Sequence, residues 1–274
     1  MEQCKIIAIA NQKGGVGKTT TTVNLGVGLA RAGHRVLLVD GDPQGSLTIA
    51  LGIPNPDALD ETLGDAMLAE ISDRTLPKGF GILHHKEGVD LLPGNIELSG
   101  IELSLINAMS RETVMRNVLH QYKDSYDYIL IDCMPTLGLM TINSLATADS
   151  VIVPSQPNYL STKGFNLLLR SIGRIKRQIN PQLTIEGILF TIVDSRTSNA
   201  RAIISAMRTT VGDQMKVFGT EIPRSVRAVE AAELGQSIFA YNPQGKVAKA
   251  YNSFVKEVCK DGRENHRSWS DGAR

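Results

Sequence analysis

The chain has little that could staple or anchor it. Its 274 residues include three cysteines, Cys4, Cys133 and Cys259, with no C-x-x-C spacing. An odd, scattered set argues against a disulfide framework or a zinc site and fits a reducing compartment. Aromatic residues make up only 5%, with a single tryptophan, so aliphatic side chains must build the core. Long apolar runs are also missing. The run Ile6-Ile7-Ala8-Ile9-Ala10 stops far short of a bilayer span and leads straight into a glycine-rich loop, so no signal peptide is expected. Neither sign of charge is in excess: 29 basic residues face 28 acidic ones, a net charge of +1. A bulk polyelectrolyte role is therefore excluded, and any nucleic-acid surface must be a local patch. No internal repeat or low-complexity stretch occurs.

What is present is a set of short aliphatic runs: 5–10, 35–40, 89–93, 126–132, 150–154, 185–194 and 216–223. They are continuous rather than alternating, as strands buried on both faces are. Helical patterns lie between them at 17–32, 110–122, 137–147, 161–179 and 198–211. This alternation predicts a three-layer α/β fold with a mostly parallel sheet. In 161–179, Phe165, Leu168, Leu169, Ile172, Ile175 and Ile179 recur at helical spacing and should face the sheet. Lys163, Arg170, Arg174 and Arg177 fall on the opposite, polar side. The weakly periodic region 52–80 reads as surface helices and loops. One domain over 1–260 is expected, followed by a polar tail, 261–274, that should fray.

The first run enters Lys13-Gly14-Gly15-Val16-Gly17-Lys18-Thr19-Thr20, and a helical pattern follows. Strand, glycine loop and helix in that order define a phosphate-binding loop. Glycines let the backbone turn several N–H groups inward, and the helix start adds its positive end. Lys18 then places a cation between the β- and γ-phosphates, and the Thr19 hydroxyl can ligate Mg²⁺. The loop departs from G-x-x-x-x-G-K-[ST]: Gln12 stands where the first glycine would be, and Lys13 is an added lysine.

Such a loop needs a metal-side acid and a group that positions water, both at the carboxyl ends of neighbouring strands. Two strands end suitably. One closes in Asp40-Gly41-Asp42-Pro43-Gln44, the other in Tyr128-Ile129-Leu130-Ile131-Asp132. For Asp40, hydrogen bonding to the loop and contact with a metal-bound water are both open.

With these motifs in place the chain resembles the ParA-type (Soj-like) partition ATPases of the deviant-Walker ParA/MinD group. The segments that carry the likeness are 13–26, 36–47, 127–145, 193–197 and 222–231. The resemblance implies a SIMIBI-type P-loop NTPase fold with ATP and Mg²⁺ as ligands. It makes Lys13 a signature lysine that reaches the nucleotide of a partner subunit, and it gives Thr20 an α-phosphate contact. Asp42 would position the attacking water, Asp132 would hold Mg²⁺ through water, and the Pro223 region would line the adenine pocket. Arg196 and Arg227 match arginines used for non-specific DNA binding, and Arg224 lies close by. Two departures stand out. Met134 replaces a proline usual after the Walker B cysteine, and Lys163 replaces a common glutamate.

The expected function is DNA segregation. ATP closes a homodimer that binds non-specific DNA, and a ParB-like centromere-binding partner triggers hydrolysis and release in the cytoplasm, on the nucleoid. The alternative is a MinD-like membrane-associated positioning ATPase. It would require an amphipathic C-terminal helix, but the stripe Val247, Tyr251, Phe254 and Val258 reads as core. No stable membrane association is therefore expected. An amide ligase or iron–sulfur enzyme of the same fold is disfavoured, the latter for want of paired cysteines. No N-K-x-D motif suggests a GTPase.

Overall fold

The computed structural model describes residues 4–157, 161–194, 196–212 and 215–271; the side chains of 161–166, 211 and 261–271 lie outside the description. Its strands are β1 (Lys5–Ile9), β2 (Val36–Gly41), β3 (Leu83–His84), β4 (Asp90–Leu92), β5 (Tyr128–Cys133), β6 (Ser150–Ser155), β7 (Thr184–Val193) and β8 (Val217–Pro223). They form one sheet in the order β3-β4-β2-β5-β1-β6-β7-β8. Every pairing is parallel except that of β3 with β4. The seven expected runs match seven of these strands to within two residues at either end, and β3 is an added two-residue edge.

Helices cover both faces. On one side lie α3 (Leu63–Ile71), α4 (Leu98–Ile106), α5 (Val114–His120), α6 (Leu139–Thr147) and α7 (Ser161–Gln178). On the other lie α1 (Lys18–Arg31), α2 (Ser46–Ala50), α9 (Arg227–Glu233), α10 (Ile238–Tyr241) and α11 (Lys246–Asp271). The helix α8 (Ser198–Val211) follows β7. The pleat divides each central strand between two cores. Ile6, Ala8, Leu37, Val39, Ile129 and Ile131 join the first, and Ile7, Ile9, Val36, Leu38 and Leu130 join the second. Both sets are removed from water, which explains why the runs are continuous rather than alternating.

In α7, Leu168, Ile172 and Ile175 are buried, with Leu169 and Ile179 packed against the same core. Arg170, Arg174 and Arg177 are exposed. Lys163 and Phe165 lie outside the described side chains. The region 52–80 differs from expectation. It contains α3, whose Leu63, Ala66 and Met67 are fully buried core residues rather than surface. The helix is started by a capping box, Thr62 with Asp65, a local signal that weak periodicity obscured. Residues 261–271 continue the helix α11. Adding a residue to an existing helix gains a hydrogen bond without a new nucleation cost.

The stripe Val247, Tyr251, Phe254 and Val258 is at most 4% exposed and forms part of the second core. There α11 packs on α1 so closely that a Cβ at Gly28 would collide with the Val255 side chain. Tyr251 Oη and Thr21 Oγ1 lie 3.3 Å apart across the same contact. No helix among the described residues is long and apolar enough to cross a membrane.

Candidate nucleotide site

Because β1, β2, β5, β6, β7 and β8 run parallel, their carboxyl ends share one edge of the sheet. That edge carries the glycine loop, Asp40, Asp42, Asp132, Gln156, Asp194 and Arg224. The loop leaves β1 at Ala10 and enters α1 at Lys18. Gly15 and Gly17 take φ of 69° and 80°, the left-handed region that disfavours side chains. A Cβ at Gly14 or Gly15 would meet nothing within 4 Å, so open space lies in front of the backbone there. Lys18 is 8% exposed.

The sharpest contact joins the loop helix to the end of β5. Thr19 Oγ1 donates to Asp132 Oδ2 at 2.6 Å, and Thr22 Oγ1 reaches Asp132 Oδ1 at 3.4 Å. Asp132 is 1% exposed. Burial pushes its carboxyl well above the usual carboxylate range, against the pull of the Thr19 hydrogen bond and the Lys18 charge. A hydroxyl and a buried acid side by side, behind an open loop with an adjacent ammonium, form a donor set for a divalent cation carried by phosphates. The residues present thus fit a magnesium nucleotide.

At the end of β2 the two acids divide. Asp40 is fully buried. Its Oδ2 accepts from Thr48 N at 2.8 Å and Thr48 Oγ1 at 2.7 Å, while its Oδ1 accepts from Asp42 N at 3.3 Å. These bonds join Asp40 to Thr48 and to the Asp42 turn, an arrangement beside the two roles left open for it. Burial, with the nearby Asp132 charge, raises its carboxyl to about 8. Asp42 is half-buried and also shapes the turn, accepting from Gln44 N at 3.0 Å.

Lys13 N donates to Asn11 Oδ1 at 3.0 Å, and Lys13 Nζ lies 3.5 Å from Gln156 Oε1. Thr20 carries Asn24 on its carbonyl at 2.8 Å. Pro223 ends β8, half-buried, and Arg224 N bonds the Val193 carbonyl at 3.0 Å. Arg224 borders a cleft of about 390 Å³ with Gln156, Ile192 and Asp194. Arg196 and Arg227 are exposed but paired: Arg196 clasps both oxygens of Asp194 at 3.0 and 3.1 Å. Arg227 reaches Glu230 at 3.1 Å and the Tyr241 hydroxyl at 3.3 Å. Cys133 is buried, and burial raises its thiol to about 12, which fits a core residue. Met134 packs against the first core.

Sequence reading missed Asn11, Thr22, Thr48, Gln156 and Thr191. Thr22 belongs to the run Thr19–Thr22, and Thr48 falls eight residues past Asp40. The other three carry no local signature, because the backbone groups they bind lie elsewhere in the chain or come from generic loop geometry.

Comparison with known proteins agrees with this geometry. The AAA domain family matches residues 4–185. The sporulation initiation inhibitor protein Soj of Bacillus subtilis is 42% identical, over 94% of this chain and 99% of its own length. The chromosome-partitioning ATPase Soj of Treponema pallidum is 39% identical over 94% and 99%. Among solved structures, a cobyrinic acid a,c-diamide synthase from Mycobacterium smegmatis, with bound ATP analogue and magnesium, superimposes with a TM-score of 0.80. It is 35% identical and covers 92% of this chain and 93% of that one.

Proposed function

The chain belongs to the ParA/Soj family of partition ATPases, and from that premise we propose that it is the ATP-driven switch of a DNA-segregation system. The observation that carries the reading is the Thr19–Asp132 contact at 2.6 Å beside the open loop and Lys18, the core of a magnesium-ATP site. The bound ATP analogue and magnesium of the related structure support the same ligands here.

In this reading the loop amides of Gly14 to Thr20 bind the phosphates, and Lys18 neutralises the charge that grows on the β- and γ-phosphates during hydrolysis. Magnesium, held by Thr19 and through water by Asp132, supplies further neutralisation when bound. Asp42 orients the attacking water, and Asp40 fixes the Asp42 turn through its own carboxylate. The Pro223 segment lines the adenine. Lys13 reaches across to the nucleotide of a second copy, so ATP gates a homodimer.

Dimerisation doubles an arginine surface of Arg196, Arg224 and Arg227. Each phosphate contact adds about one unit of salt dependence. Binding would cost the Asp194 and Glu230 pairings, which are exposed and individually weak. A ParB-like partner stimulates hydrolysis and release, and the protein works in the cytoplasm on the nucleoid. A membrane-bound positioning role lacks support, because the apolar stripe of α11 is consumed by the core.

The test is ATP hydrolysis by the full chain, alone, with non-specific DNA, and with DNA plus the product of the neighbouring gene. Stimulation that requires DNA and that product is expected. Stimulation by anionic vesicles alone would replace partition with membrane positioning. Turnover coupled to amide formation would place the chain with the synthase.

A further inference from the structure

A phosphate loop works only if its amides point inward, which requires its carbonyls to be held outward. Two side chains from distant strands perform that task. Thr191 Oγ1, near the end of β7, donates to the Val16 carbonyl at 2.7 Å in a fully buried contact. Gln156 Nε2, just past β6, donates to the Gly15 carbonyl at 2.9 Å. Asn11 steadies the entry, bonding the Pro154 carbonyl at 2.6 Å and accepting from Lys13 N. Thr191 also packs on the tightest turn of the loop: a Cβ at Gly17 would lie 3.9 Å from its own Cβ.

Just past Thr191 the strand is distorted. Ile192 has φ of 54°, an uncommon conformation for a β-branched residue and a costly one. The pairing of β7 with β8 changes register between Phe190 and Val193. As a result Phe190 and Val193, three residues apart, share one small core with Ile204, which regular alternation forbids. A bulge of this kind re-aims a side chain. Here Thr191 faces the loop by ordinary alternation from Phe190, and the bulge returns Val193 to the side of Phe190.

We propose that Thr191 and Gln156 are positioning residues of the nucleotide site, clamping the Val16 and Gly15 carbonyls outward so that the loop amides converge on phosphate. The proposal rests on the ATPase reading above and adds two residues to it. Both act on the loop through its backbone carbonyls, and Gln156 also lies 3.5 Å from Lys13 Nζ.

The experiment is titration of the full chain with a fluorescent ATP analogue, with thermal unfolding measured in parallel without nucleotide. Thr191→Val keeps the shape and loses the donor, and its Kd should rise about tenfold, the worth of one neutral hydrogen bond. Thr191→Ser keeps the donor and loses the methyl group, and its Kd should stay within about twofold of wild type. Gln156→Leu, at a more exposed site, should raise Kd by roughly three- to tenfold. A packing role predicts the reverse order, serine worse than valine, and that order would overturn the proposal. So would wild-type affinity in Thr191→Val. Should that variant not fold, unchanged affinity in Gln156→Leu refutes the clamp. A wild-type chain that fails to bind the analogue would overturn the ATPase reading itself, a separate result.

Discussion

Thr48→Val offers a direct test of how the Asp42 turn is held. Thr48 gives the buried Asp40 carboxylate two donors, its N–H at 2.8 Å and its hydroxyl at 2.7 Å. Valine has nearly the same shape, so the substitution removes the hydroxyl donor to Asp40 together with the hydroxyl's contacts to Gly94, whose N–H it accepts at 3.2 Å. The Gly94 loss is the same at every pH, so the change with pH isolates Asp40. A hydrogen bond to a charged group contributes about 1.5–3 kcal/mol. In a chain of this size each kcal/mol moves Tm by roughly 2–4 °C, so a drop of about 3–12 °C is expected where Asp40 is ionised.

The pH dependence supplies the refutation. The folded carboxyl titrates near 8, raised from an ordinary value of 3.8. A raised carboxyl means that the folded state holds the proton more tightly. Its stabilising effect is complete below about pH 4 and is lost as pH rises toward 8. At pH 6 Asp40 is mostly neutral and its bond to Thr48 is an ordinary one. At pH 9 it is charged and the bond is about twice as strong. Thermal unfolding of the nucleotide-free chain in chelator should therefore show a larger Tm loss for Thr48→Val at pH 9 than at pH 6. An equal loss at both values, or none, would mean that the Thr48 hydroxyl does not support a charged Asp40.

Other substitutions separate the parts of the proposed cycle. Lys18→Ala should weaken binding of a fluorescent ATP analogue by roughly ten- to a hundredfold, the loss of charge-assisted bonds to phosphate; retained affinity would refute the loop assignment. Asp42→Ala should bind ATP normally, hydrolyse it at least about tenfold more slowly, and accumulate dimers on gel filtration with ATP. A monomer there would show that hydrolysis does not set dimer lifetime. Arg227→Glu should abolish DNA retention in a mobility-shift assay while leaving nucleotide affinity intact, and unchanged retention would move the DNA surface elsewhere.

The centre of this fold was legible because burial on both faces writes itself into sequence. Residues 6–9, 36–39 and 129–131 are aliphatic throughout, and each run ends where chemistry begins. Lys18, Thr19, Asp40 and Asp132 could be read for the same reason: their spacing follows from strand ends meeting one loop. The small helix α3 was obscured because three of its five buried residues, Gly64, Ala66 and Ala69, are too small to mark an apolar face beside Leu63 and Met67. The loop clamps were invisible for a different reason. Thr191 and Gln156 act on carbonyls 175 and 141 residues away, and a bond to a carbonyl places no demand on the identity of the residue that bears it. The surface arginines are the converse case. Their roles depend on partners outside the chain, so neither periodicity nor burial constrains them.

The seat of α1 has a consequence for what can be cut away. One flank of this helix rests on the sheet through Leu38, and the other is roofed by Phe239 and Val255. Asn24 bonds Ile238 N at 2.8 Å from the same roof. The AAA family match ends at residue 185, yet part of the cover over the helix that starts at the phosphate loop comes from residues beyond 237. A fragment cut at that boundary would keep the candidate site side chains from Lys13 to Asp132 and strip Gly28 of the Phe239 and Val255 side chains that cover it. The recognisable motif therefore stops short of the residues that cover its own first helix, and a long reach of chain separates the loop from its roof.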